Sequence, residues 1–268
     1  MKKLKVLVTG NRGFIGTNLC GYLSAKGYDV KGWNTEHGQN IFDSYFEDAV
    51  KRADIVVHLA AKTSVSNSFK DPKETFHTNV LGTARVVEFC MKYDKKLIFP
   101  SSASVFHEEL SPYSKSKKMA EDIVKEYNNA VILRFYNVFG PNMNPQSGSI
   151  MYNFMTAKDQ IFIYGDGEQT RDFIHVKDII RIIEDSFKKK WNGKIVDVGT
   201  GQAYSVNYVA GLFSHYRNVP VEYKPPQREV KWSIADTTLL KVLYKKHLLT
   251  NLKEDIENLF TLPYGKIN

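Results

Sequence analysis

"LKVLVTGNRGFIGTNLCGYLSAKG", residues 4–27, decides the fold. It opens as a short apolar run, breaks at Thr9-Gly10, and continues with apolar residues at helical spacing as far as Gly27, a candidate C-cap. Between run and helix stand Gly10, Gly13 and Gly16. A strand that turns through glycines into a helix aims the helix N-terminus at whatever binds there, and a dinucleotide pyrophosphate is the ligand that this geometry suits. A tight strand-to-helix turn would use the same glycines. The strand before and the helix after make cofactor binding the better reading.

The rest of the chain repeats the alternation. "YDVKGWN" (28–34), "DIVVHLAA" (54–61), "KLIFPSS" (96–102), "AVILRFYNVFG" (130–140) and "GKIVDVGTG" (193–201) read as strands. "SYFEDAVKRA" (44–53), "PKETFHTNVLGTARVVEFCMKY" (72–93) and "SPYSKSKKMAED" (111–122) read as helices, the last with Ser111 as N-cap and Pro112 in its first position. Near-continuous apolar strands alternating with helices predict an α/β fold, a doubly wound parallel sheet. After Gly140 the texture loosens. Residues 1–140, completed by elements within about 170–200, are expected to form the dinucleotide-binding domain, and 141–170 with 201–268 mainly a small C-terminal lobe.

Composition narrows the partners. The 268 residues are 43% hydrophobic and 25% charged, a normal globular balance. Lys+Arg of 37 against Asp+Glu of 29 gives +8, which suits an anionic ligand. The lysines are scattered, with no basic stripe interleaved by aromatics, so nucleic acid is not the expected partner. Cys20 and Cys90 lie in apolar helical patterns without metal-ligand spacing, and read as buried thiols in a reducing compartment; no metal site is expected. The opening "MKKLKVLVTG" breaks too early for a signal peptide, and no apolar run of about 18 residues appears. The expectation is a cytoplasmic protein without a membrane span.

At the end of the second strand, where an acid would bind the ribose of NAD, stands Asn34, and Arg12 in the glycine loop could meet a 2′-phosphate. The pair leans the expectation to NADP over NAD, with an exposed loop charge as the alternative for Arg12. Asn40 and Ile41 follow where an adenine edge could be held. Tyr113 and Lys117 are four apart and share one helix face, which Lys115 and Lys118 do not. An ammonium beside a tyrosine is expected to lower its pKa from about 10.

These residues, with "TNVLGT", "FPSSASVF", "YSKSK", "RFYNVFGP" and "YGDGEQTRDFIHVKD", run in family order over about three quarters of the chain. The sequence resembles the extended short-chain dehydrogenase/reductases, specifically the nucleotide-sugar epimerases, dehydratases and reductases. The resemblance implies a Rossmann domain with a substrate-binding lobe. It implies Tyr113 as acid and base toward a sugar hydroxyl, Lys117 also on the nicotinamide ribose, and Ser102 on the reacting oxygen, with adjacent Ser101 as its rival. Gly10, Arg12, Gly13, Phe14, Ile15, Gly16, Leu59, Ala60, Ala61, Asn79 and Phe135 would line the cofactor, Asn79 as the buried support of the active-site backbone. Asn137, Arg171 and Arg228 would meet the substrate, the two arginines at its diphosphate. His175 reads as structural.

Two departures matter. The 4,6-dehydratases carry an Asp-Glu pair directly after the serine or threonine position, and the fucose-type epimerase/reductases a cysteine where Ala103 stands. Ala103 and Ser104 have no such group, which argues against both reactions. The segment between Ser102 and Tyr113 is also much shorter than in the family, as is the whole chain. The resemblance therefore implies a nucleotide-sugar 4-epimerase working through a transient 4-keto sugar. An NADPH-dependent 4-keto-sugar reductase is the alternative, and a non-catalytic dinucleotide sensor a third reading. It further implies a homodimer through a four-helix bundle, built from the helix after Pro72 and the helix of Tyr113.

Overall fold

The computed structural model describes residues 3–143, 148–227 and 229–261. Six parallel strands form the main sheet: β1 (Lys5–Thr9), β2 (Asp29–Trp33), β3 (Ile55–His58), β4 (Lys96–Ser102), β5 (Ala130–Phe135) and, late in the chain, β9 (Ile195–Val198). Their order is β2-β1-β3-β4-β5-β9. The chain passes from β1 outward to β2, then crosses back to lay β3 on the other side of β1. Here the winding reverses, and the carboxyl ends of β1 and β3 part to leave a crevice.

The alternation of side chains explains why these strands read as unbroken apolar runs. Val6 and Val8 of β1 pack in one core with Ile55, Val57, Ile98 and Val131. Leu7 faces the opposite core with Val56, Leu97, Phe99 and Ile132. Helices α1 (Phe14–Ala25) and α8 (Val176–Asp185) cover the first face through Leu19, Leu23, Ile179 and Ile183. The second is covered by α2 (Phe46–Arg52), α5 (Gly82–Lys92) and α6 (Pro112–Lys125). Ahead of α5 come the short helices α3 (Val65–Lys70) and α4 (Pro72–Phe76), then one π turn, His77–Leu81.

The run 130–140 does not remain one strand. It breaks at Tyr136, and β6 (Asn137–Phe139) leaves the main sheet to pair with β8 (Thr170–His175). The lobe is built around β8, with β10 (Ala203–Ser205) antiparallel on one side and β12 (Trp232–Ser233) parallel on the other. A second ribbon pairs β7 (Ile161–Tyr164) with β11 (Val221–Lys224). Helices α7 (Ile150–Thr156), α9 (Val206–Arg217) and α11 (Leu252–Thr261) close a third core through Phe154, Phe213 and Ile256.

Two elements show how the later part of the chain divides between sheet and lobe. β8, within 170–200, belongs to the lobe because its hydrogen-bond partners are β6, β10 and β12. Helix α10 (Thr238–Leu243), within 201–268, belongs to the main sheet because Leu240 and Leu243 pack with Val196 and Val198. Of the two free thiols, Cys90 is buried and Cys20 only half-buried. Among the described residues, no helix is long and apolar enough to cross a membrane and no cluster of side chains suits a metal ion.

Candidate active site

The crevice begins at the glycine turn. Gly10 has φ +68°, and a Cβ there would stand 2.7 Å from the Ala60 nitrogen. A Cβ at Gly16 would lie 2.2 Å from the Gly10 carbonyl oxygen. Both glycines are thus required by contact, and they draw α1 against β1 and Leu59–Ala60. At Gly13 a Cβ would meet only the Gly10 carbonyl, at 3.3 Å. Gly13 caps α1 with no side-chain bond, and the first turn carries no acid. A helix N-terminus without a side-chain cap or an acid suits an anion such as a pyrophosphate. The Phe14 and Ile15 side chains turn away into the lobe and sheet cores. What they offer a ligand is backbone.

Just past β2 stands an acid, Glu36, that its own stretch of sequence does not single out. Asn34 Oδ1 accepts the Glu36 N–H at 2.8 Å, capping a 3-10 turn, and the Glu36 carboxylate meets Arg12 Nε at 3.0 Å. Arg12, expected at a 2′-phosphate, is engaged by an acid. Asn40 Oδ1 accepts the Phe42 N–H, and Ile41 is buried against Gly82, where a Cβ would come 2.5 Å from its Cδ1. Ile41 presents little surface to an adenine, because packing against α5 uses its side chain.

Behind the crevice wall, the Ala60 N–H donates to Thr9 Oγ1, which bonds His58 Nδ1 at 2.8 Å, and His58 Nε2 meets Thr83 Oγ1 at 3.2 Å. Burial holds His58 down to about 3, so the ring is neutral. Asn79 lies in the π turn. It accepts the Lys62 N–H at 2.8 Å and donates to the Lys62 carbonyl and to Ser116 Oγ. Ser116 Oγ in turn donates to the Tyr113 carbonyl at 2.8 Å. One amide thus fastens the loop after β3 to the helix of Tyr113.

Ser111 Oγ accepts the Ser114 N–H at 3.0 Å and fixes the start of α6. Tyr113, on the first turn, brings its hydroxyl to the side chains of Ser102 and Ser104. Ser102 accepts the Ser104 N–H at 3.1 Å, whereas Ser101, buried on the opposite pleat, has a hydroxyl without a partner. Of the two rivals, Ser102 is the one that meets Tyr113. Burial pushes the Tyr113 phenol up, and the two serine hydroxyls draw it back only in part. The expected lowering by Lys117 does not occur. Its ammonium turns under the helix, donating to the Pro100 carbonyl at 2.7 Å and lying 4.3 Å from the Phe99 ring centre. Burial holds Lys117 itself down to about 8, against the opposing pull of Glu121.

Phe135 lies beside Ser102 in register, buried at the carboxyl end of β5. Asn137 Nδ2 donates to the Asp172 carbonyl at 3.0 Å. The fully buried Asp172 carboxylate accepts from Thr200 N–H and Oγ1, the Gly201 N–H and the Ala235 N–H. Arg171 next to it is held by Glu229, Nη2 to Oε2 at 2.6 Å, and Gln169 Nε2 donates to the other oxygen of the same carboxylate. Arg228 lies outside the described residues. His175 caps α8 through Nδ1 and sets its ring edge-on to Phe139, a structural position.

The family model for the NAD dependent epimerase/dehydratase family matches residues 6–199. The chain belongs to this family. It is accordingly an enzyme. A curated relative, a putative UDP-glucose 4-epimerase of Methanocaldococcus jannaschii, is 32% identical over 84% of this chain and 87% of its own length. Among solved structures, a UDP-N-acetylglucosamine 4-epimerase from Methanobrevibacter ruminantium in complex with UDP-N-acetylmuramic acid aligns with TM-score 0.88 at 26% identity, over 97% of this chain and 98% of that one. MoeE5 in complex with UDP-glucose and NAD aligns with TM-score 0.86 at 27% identity, over 96% and 97%.

The buried lysine of this epimerase-family site has a measurable signature. Below pH 8 Lys117 is charged in both folded and unfolded chains, and its burial weakens the fold. Between about 8 and 10.5 the folded chain gives up this proton first, so the unfolded state binds more protons and stability rises with pH. Urea unfolding followed by circular dichroism should show the wild type gaining about 2 kcal/mol relative to Lys117→Met across that window. A difference that is flat with pH would contradict a buried, charged Lys117.

Proposed function

We propose that the enzyme is a nucleotide-sugar 4-epimerase. The observation that carries this reading is the company of the Tyr113 hydroxyl: the groups acting on it are the hydroxyls of Ser102 and Ser104. No carboxylate or thiol stands at positions 103 and 104 to move a proton at a neighbouring carbon. The chemistry left to the site is proton transfer at one oxygen, coupled to hydride transfer at the carbon that bears it. The dinucleotide, when bound, supplies reversible hydride acceptance.

The remaining roles fall to the chain. Tyr113 takes the proton of the sugar 4-hydroxyl, while Ser102 donates a hydrogen bond to the same oxygen. Once the resulting 4-keto sugar has turned over, Tyr113 returns the proton to the oxygen on the other face. Lys117 holds a positive charge beneath the helix of Tyr113, where it would favour the nicotinamide ribose. Gly10, Gly13 and Gly16 give the pyrophosphate its approach to α1. Asn137, Arg171 and Arg228 would receive the substrate, the arginines at a diphosphate. The named relatives support a UDP-hexose as substrate.

Asn34 and Arg12 favour a second reading, an NADPH-dependent 4-keto-sugar reductase. Glu36 weighs against it, since a carboxylate on Arg12 would repel a 2′-phosphate and could accept from ribose hydroxyls. NAD is the cofactor we favour. A homodimer is supported by Leu81 and Met91 on the helix after Pro72 and by Met119 on α6, three large apolar side chains left exposed.

Three measurements test these readings. Product chromatography with UDP-glucose, UDP-galactose and their N-acetyl forms should show interconversion without added cofactor. Tyr113→Phe should lower that rate by about 10²-fold or more; an undiminished rate would remove Tyr113 from the chemistry. Titration of the dinucleotides should favour NAD over NADP, and Glu36→Gln should narrow the gap. Tighter NADP binding by the wild type would restore the reductase reading. Light scattering should give the molar mass of a dimer, and a strict monomer would refute the bundle.

A further inference from the structure

Ser104 is a buried group that the reading above leaves without work. Its Oγ is sealed from solvent and forms no hydrogen bond of ordinary geometry. A buried hydroxyl left without a partner destabilises the fold, so its persistence calls for a reason. The side chain has little freedom to find another partner. The Ser104 N–H is fixed on Ser102 Oγ, and the next residue, Val105, is buried at 5% exposure.

A proton count at the Tyr113 oxygen supplies the reason. A serine hydroxyl has one proton to donate. If Ser102 spends it on the sugar oxygen, it has none for the phenolate that forms when Tyr113 acts as base. Lys117 does not fill the gap, because its ammonium is turned to the Pro100 carbonyl and the Phe99 ring. Ser104 is the other side chain at the Tyr113 hydroxyl. We infer that Ser104 is a further catalytic residue of this enzyme, whose hydroxyl donates to the Tyr113 oxygen whenever Ser102 is occupied by the substrate. This inference rests on Tyr113 being the base. Ser104 lies in the 3-10 segment Ala103–Leu110, which packs against the helix that holds Tyr113. The hydrogen bond strengthens as charge develops on the phenol oxygen, which is where such a bond lowers a barrier.

The test compares Ser104→Ala with Ser104→Thr, which keeps the hydroxyl, in the full-length enzyme. Tyr113 ionisation is read by ultraviolet difference absorbance of each protein against its own Tyr113→Phe counterpart, and turnover by the pH profile of kcat/KM with UDP-glucose and UDP-galactose. Ser104→Ala should move the Tyr113 midpoint up by about half to one pH unit and lower kcat by about 3- to 10-fold at neutral pH with KM little changed. Ser104→Thr should restore both. An alanine variant that titrates and turns over like the wild type overturns the inference, as does a threonine variant that behaves like alanine. If Tyr113→Phe keeps full turnover while Ser104→Ala still shifts the titration, the base assignment fails and the hydroxyl contact stands.

Discussion

The site depends on how closely β1, β3 and α1 approach one another at Gly10. Any Cβ at Gly10 or Gly16 would stand inside the contact distance of backbone atoms that have no room to yield. This approach puts the first turn of α1, the Ala60 N–H and the end of β3 around one crevice. Its other wall is set by hydrogen bonds. Asn79, in its π turn, reaches both the loop after β3 and Ser116, and through Ser116 the backbone of Tyr113. A π turn of this kind adds a residue to the helix and re-aims the side chains that follow. Contact on one side and hydrogen bonds on the other hold the helix of Tyr113 against the crevice.

The charges inside this frame form a connected set. Lys117 is buried, and four residues on, Glu121 is fully buried too. Glu121 accepts two bonds from Arg134, Nε at 2.9 Å and Nη2 at 2.8 Å, and Arg134 also lies 3.7 Å from Asp197. A lone ammonium at this depth would lose its proton readily. Glu121 resists that loss, and Arg134 in turn holds the Glu121 carboxylate in place with two hydrogen bonds. The effect of α6 on the site therefore depends on β5 and β9, strands far from Lys117 in sequence. The same field bears on His58, which burial and the Lys117 charge together keep neutral.

What was legible in the sequence was local. The glycine triplet needed only its flanking strand and helix, and the inward place of Lys117 among three lysines followed from its helical offset from Tyr113. The parts not legible depend on distant pairing. The lobe sets Ser205 and Trp232 on either side of Thr170, and neither 203–205 nor 232–233 has a strand-length apolar pattern. The run 130–140 looks continuous, but Tyr136 hands it from one sheet to the other. Helix α9 could have been found: Ser205 caps it, and Val206, Val209, Ala210 and Phe213 recur at helical spacing. Glu36 had a weaker signal, an acid two residues past an asparagine suited to capping. Glu229 had none, since its partners Arg171 and Gln169 are some sixty residues earlier.

The shortened segment before Tyr113 is better understood from its ends. Ser102 binds the Ser104 N–H at one end, and Ser111 binds Ser114 at the other. Between them the chain winds tightly, buries Val105, and lays Phe106 4.7 Å from the Arg134 guanidinium. A longer connection could reach over the crevice. This one is held against the sheet, and its length goes into presenting a second serine to the Tyr113 hydroxyl. Beyond β11, Glu229 ties the chain to Arg171 of β8 and to Gln169 just before it. That carboxylate occupies one of the guanidinium nitrogens that a diphosphate would use. A substrate that engages Arg171 must therefore share it with Glu229 or loosen the tie, and either adjustment links filling of the site to the position of the chain beyond β11.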